Sequence, residues 1–231
     1  SRSLAQKLGI HEQPFWVTFG SATDTGYPAL TRHASTIIRL SKQLANQLHL
    51  RPQRWIHAQF DPNIQRLSFG PLLGILIDAS RYVKENPLFG DMLRFLNECS
   101  DCGGERGTYV MVFTQEGIDL NQRHVEGWIK EKGKWIKARL PLPDVIYNRI
   151  TSRRIEQQES LQKIMQRLRQ FHRIPIFNET FLDKWEVHNI LLKNPKTAEM
   201  LPDTLPYNST NLQIMFKRYP ILYLKPTNGS L

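Results

Sequence analysis

The chain has 231 residues, 40% hydrophobic and 23% charged, enough to bury a sizeable core in one or two domains. Its two cysteines exclude a disulfide-stapled secreted scaffold, and no stretch approaches the roughly 20 uninterrupted apolar residues of a membrane span. A formal charge of +10 admits nucleic acid, an acidic surface or an anionic ligand such as a nucleotide, and does not choose among them.

The start, Ser1-Arg2-Ser3-Leu4, carries no basic-then-apolar signal segment, so the expectation is a soluble, cytoplasmic protein without a membrane partner. The first 70 residues contain a repeat with an offset of 40. Leu4, Ala5 and Leu8 recur as Leu44, Ala45 and Leu48, the spacing of a short amphipathic helix, and each copy runs into an aromatic strand, Phe15–Phe19 and Trp55–Phe60. Ser35–Leu40 reads as a strand before the second copy. Strand-helix-strand copies of this kind predict a small β-rich domain over 1–70, a pseudo-twofold barrel whose first strand is missing ahead of Ser1.

Past Gly70-Pro71 the pattern changes to alternating strand and helix. Leu72–Ile77 is a continuous apolar run suited to a buried parallel strand, and Phe89 to Cys99 has helical spacing through Met92, Leu93, Phe95 and Leu96. Cys99 and Cys102 form a C-x-x-C pair. A structural zinc wants four ligands and there is no second such pair, so two ordinary thiols at a helix end are expected. Tyr109–Phe113 reads as a strand and Val125–Leu140 as a hairpin turning at Lys132-Gly133-Lys134. Pro143–Asn148 is a strand, followed by one long helix with Ile155, Leu161, Ile164, Met165 and Leu168 on its apolar side. This rhythm predicts an open α/β sheet over 71–178, where ligands sit beyond the carboxyl ends of strands. Asn148 and Arg149 end one such strand, and an arginine fork can hold a substrate carboxylate bidentately. Asn178 ends the strand Ile174–Asn178 in the same way. These three are candidate substrate residues, against a plain reading as caps and turns.

From 179 a helix opens with Thr180 and Asp183 in its first turn, where side-chain oxygens satisfy free N–H groups. Lys184 follows at the helix end that favours anions. A short helix from Asn211 to Tyr219 then leads to a terminal strand, Ile221–Lys225, and a turn at Asn228-Gly229-Ser230. Two lysines converging on one phosphate chain would offset its charge and position it. The seven histidines have no metal spacing and no metal ligand is assigned. The five tryptophans read as core or hairpin aromatics.

The stretches at 67–76, 141–150, 176–178, 181–185, 201–204 and 224–230, in this order, resemble the YheC/YheD-type ATP-grasp proteins associated with bacterial endospore coats. The resemblance implies a pre-ATP-grasp domain before an ATP-grasp domain that begins near 179. It implies that Lys184 and Lys225 contact ATP phosphates, with Gly229 and Ser230 starting a glycine-rich flap. It further implies that an intact parent uses ATP and Mg²⁺ to activate a carboxylate as an acylphosphate for attack by an amine, with spore-coat proteins as partners and a coat-associated location. The acidic residues that would hold Mg²⁺ are not seen in the chain, so it is expected to be an N-terminal part that is inactive alone and holds no cofactor tightly. The alternative is a non-catalytic nucleic-acid-binding or coat interaction module, since the Leu40–Leu48 phrase resembles swapped-hairpin DNA-binding barrels.

Overall fold

A computed structural model describes residues 1–30, 37–51, 55–79, 83, 88–180 and 183–227. It divides into two compact units, Ser1–Glu179 and Thr180–Leu231.

The duplicated phrase folds the same way twice. Helix α1 (Arg2–Leu8) is capped by the Ser1 hydroxyl, which accepts from the Leu4 amide, and α2 (Lys42–Gln47) by Ser41, which accepts from Leu44. Both helices end alike: Ile10 N–H donates to the Ala5 carbonyl and Leu50 N–H to that of Ala45, across a residue with positive φ, Gly9 in one and His49 in the other. Each helix leads into a hairpin rather than a single strand, β1 (Phe15–Phe19) with β2 (Ala22–Gly26), and β3 (Ala58–Asp61) with β4 (Arg66–Phe69). The predicted second strand therefore begins at Ala58, not Trp55. The strand expected over Ser35–Leu40 lies partly outside the described residues, and Ile37–Leu40 carries no strand. Parallel pairing of β1 with β4 gives a sheet of order β2-β1-β4-β3. Alternate residues Val17, Phe19, Phe60, Leu67 and Phe69 are buried, as period-two strands with one wet face require. β2 and β3 are this sheet's outer strands, so the described residues contain an open sheet and no closed barrel.

The second sheet has six strands: β5 (Leu72–Leu76), β6 (Tyr109–Asp119), β7 (His124–Glu131), β8 (Lys134–Pro141), β9 (Val145–Asn148) and β10 (Ile176–Phe177). Its order is β10-β9-β5-β6-β7-β8, parallel through β6 and antiparallel beyond. The β7–β8 hairpin turns at Lys132 and Gly133, φ 47° and 77°, the pair of left-handed residues that matches strand twist. Alternation along the central strands supplies two cores. Leu72, Leu76, Met111, Phe113 and Ile146 meet the first sheet's core, while Ile75, Ile77, Val110 and Val112 pack on Phe89, Met92 and Leu96 beside helix α3 (Leu93–Glu105).

The long helix expected after β9 is two, α4 (Arg153–Glu156) and α5 (Glu159–Gln170), with Gln158 extended between them. The break lets Glu156, 6% exposed, turn inward to receive a hydrogen bond from Asn148, while Gln162 Nε2 donates to the Glu156 carbonyl freed by it. Leu161, Met165 and Leu168 cover the sheet as the spacing predicts.

The second unit holds helices α6 (Lys184–Leu192), α7 (Pro195–Ala198) and α8 (Ser209–Arg218), capped by Asp183, Asn194 and Asn208. The predicted strand Ile221–Lys225 does not form. A strand needs a neighbour's N–H and C=O groups, and every strand among the described residues lies in the first unit.

Candidate functional site

The Asp183 carboxylate accepts from the backbone N–H of Trp185 at 2.8 Å and of Glu186 at 3.2 Å, which fixes the start of α6 and puts Lys184 at its first position. The chain returns to this point from the other end of the unit. Lys184 donates its backbone N–H to the Thr227 carbonyl at 3.0 Å, and its Nζ to the Pro226 carbonyl at 3.0 Å. Lys184, Lys225 and Thr227 thereby line one cavity of about 920 Å³. Met215, Tyr219 and Tyr223 add apolar and aromatic wall.

This arrangement suits a polyphosphate carrying an aromatic ring. Lys184 Nζ bonds a neutral carbonyl, and a phosphate oxygen in its place would give a charge-assisted bond roughly twice as strong. The aromatic wall offers faces for stacking. The acid of the wall is Asp203, which accepts from the Tyr219 hydroxyl at 2.6 Å and lies 3.7 Å from Arg218. That hydrogen bond to Asp203 pushes the Tyr219 phenol above its ordinary value. Gly229 and Ser230 lie outside the described residues. Among the described residues no three His, Cys, Asp or Glu side chains are grouped to hold a metal ion.

The three candidate substrate residues come together in the first unit, at the carboxyl ends of β9 and β10. There the connections diverge, β5 leading to β6 on one side and β9 to β10 on the other, the switch point at which open sheets hold ligands. Asn148 is 2% exposed and fully engaged: its Nδ2 donates to Glu156 Oε1 and to the Glu179 carbonyl, and its Oδ1 accepts from Ile150 N–H. Asn178, at φ 57°, donates from Nδ2 to the Asn148 carbonyl at 3.0 Å, a turn-holding bond. Arg149 anchors its backbone N–H on the Leu76 carbonyl and lays its guanidinium 5.3 Å from the Phe95 ring centre, while its buried Nε has no hydrogen-bond partner among the described residues. Arg149 therefore keeps donor capacity that the two asparagines have used.

The sequence did not single out the wall formed by Tyr207, Met215, Tyr219 and Tyr223: α8 brings Met215 and Tyr219 to it at helical spacing, but Tyr207 and Tyr223 reach it from the loops on either side, whose course no period sets. A second group it missed surrounds His124, 8% exposed, whose Nδ1 is 3.0 Å from Arg139. Burial, then Arg139 and His124, hold the nearby His49 below its usual value. Of the tryptophans, Trp128 and Trp135 pack edge-on to Phe89, and Trp135 donates to Asn97 at 3.0 Å, whereas Trp16 and Trp55 are exposed. Trp185 stacks on His188.

Residues 173–231 match the YheC/D like ATP-grasp family. Over 214 residues, 92% of the chain, the sequence is 33% identical to the endospore coat-associated protein YheD of Bacillus subtilis strain 168. The match covers 47% of that relative, so the chain spans about half its length. No solved structure matches the chain. No helix among the described residues is long and apolar enough to cross a membrane.

Proposed function

We propose that this chain, which resembles the YheC/YheD-type ATP-grasp proteins over most of its length, carries one side of an ATP site in its second unit and the substrate-facing sheet in its first. One observation carries the reading: Lys184 and Lys225, far apart in sequence, line a single cavity with an aromatic wall and a helix start. Lys184 and Lys225 hold the phosphate chain, and Tyr219 and Tyr223 face the base. ATP, when bound, supplies the phosphoryl group that activates a carboxylate for attack by an amine.

The organisation proposed is 1–70 as a β-rich repeat domain, 71–178 as the pre-ATP-grasp sheet and 179–231 as the opening of the ATP-grasp domain. Arg149 is the residue of the first unit suited to a substrate carboxylate, with Asn148 and Asn178 positioning its strand. Association with the endospore coat is proposed from the name of the relative. The described residues do not assemble a Mg²⁺ site, so no step is assigned to the metal.

Titration of ATP into the chain, followed by ³¹P NMR to reach weak affinities, tests this. Lys184→Ala and Lys225→Ala are each expected to weaken binding about 10- to 100-fold, the usual worth of one charge-assisted phosphate contact. Equal affinity in the parent and both variants would contradict it.

A further inference from the structure

The C-x-x-C pair has no part in the nucleotide reading, yet it sets an exposed thiol against a guanidinium, one helical turn from a second, half-buried thiol. Both cysteines are free and lie in the last two turns of α3. Cys102 is exposed, and Arg106 NH1 donates both to its Sγ and, at 3.2 Å, to its carbonyl. A guanidinium donating to an exposed sulfur stabilises negative charge as it develops there, against the C-terminal end of the helix dipole. Cys99 sits one turn earlier, half-buried on the same side of the helix. Burial, then the neighbouring Cys102 and Glu98, push its thiol above the usual value, while Arg149 acts in the opposite sense.

Residues three apart on a helix hold their Cβ atoms about 5–6 Å apart, against about 3.5–4.5 Å in a disulfide. Closing the pair thus requires the last turn of α3 to shift by one to two ångströms, on the order of that difference. The sequence after Cys102 permits this. Gly103 packs against Val110 and its carbonyl accepts from Thr108 N–H, which holds that residue on β6, whereas a side chain at Gly104 would meet nothing within 4 Å, so the shift falls on the exposed side of the turn that carries Cys102.

We propose that Cys99 and Cys102 form a peroxide-oxidisable dithiol, with Cys102 the attacking sulfur and Cys99 the resolving one. The Cys102 thiolate attacks one oxygen of hydrogen peroxide; the O–O bond breaks, and the departing hydroxide takes up the thiol proton as water, leaving a sulfenic acid. Cys99 sulfur then attacks the Cys102 sulfur; the S–O bond breaks, a second hydroxide leaves with the Cys99 proton as water, and the disulfide forms. Two thiols are oxidised and one peroxide is reduced to two waters. The assignment stands whether or not the second unit binds ATP.

The test is hydrogen peroxide treatment of the reduced full chain, with intact-mass measurement and non-reducing peptide mapping. A loss of about 2 Da and a Cys99–Cys102 cross-link within one peptide are expected. Cys99→Ser is expected to trap a dimedone adduct on Cys102, whereas Cys102→Ser labels Cys99 at least about tenfold more slowly. Arg106→Ala is expected to slow oxidation of Cys102, with an unchanged circular dichroism spectrum showing that the fold is kept. Equal labelling of the two cysteines, or disulfides only between chains, would overturn the proposal.

Discussion

Asn148 shows how one amide organises the ends of two strands. It is buried, donates to the Glu156 carboxylate and the Glu179 carbonyl, and accepts from the backbone of Ile150. Removing it leaves a buried carboxylate and a backbone donor without this partner. Asn148→Ala is therefore expected to lower stability by about 1–3 kcal/mol in urea unfolding. Asn148→Asp should cost more at neutral pH, because it sets a second carboxylate against Glu156 in place of a donor. An alanine variant as stable as the parent would contradict the role. This residue also marks where sequence reading stops: a strand-end Asn was legible as ligand or cap, but the choice depends on Glu156, which faces it only because the helix after β9 is broken. Arg149, one position on, points to the opposite side of the strand and keeps its fork beside Phe95.

Among elements, local chemistry was the most legible. The repeated Leu-Ala-Leu spacing, and Lys132-Gly133 between alternating strands, give the two short helices and the hairpin turn found in the structure, since each depends on neighbours within a few residues. The same glycine logic makes opposed predictions. Gly104 lies inside α3 with open space at its Cβ, so Gly104→Ala is expected to stabilise by about 0.5–1 kcal/mol. Gly133 also has open space but sits at φ 77°, so Gly133→Ala is expected to destabilise by about 1–2 kcal/mol. Thermal unfolding of the two variants checks both, and shifts of the same sign would contradict the account. Elements that depend on distant partners were the ones misread. The break between α4 and α5 answers to a carboxylate that must reach Asn148, and Ile221–Lys225 has strand-like apolar content without a strand to pair with in its unit.

At the scale of the whole molecule the two units differ in kind. The first buries continuous clusters on both faces of its six-stranded sheet. In the second no described residue is buried, and Met200, Tyr207, Tyr223 and Leu224 are among the most exposed apolar side chains of the chain. The α/β rhythm of the first unit was readable because parallel strands buried on both faces are continuous apolar runs, as at Leu72–Leu76. The cavity of the second was readable only in its two lysines, since most of its wall beyond α6 and α8 comes from loops whose course no periodicity sets. Its aromatic side is also where the nucleotide reading is most exposed to refutation. Photolabelling of the chain with 8-azido-ATP, followed by peptide mapping, measures directly where the base lies. The account predicts label within 201–224, lost with excess ATP and diminished in the Lys184→Ala, Lys225→Ala double variant. Label confined to 1–179, or label that excess ATP does not displace, would contradict it.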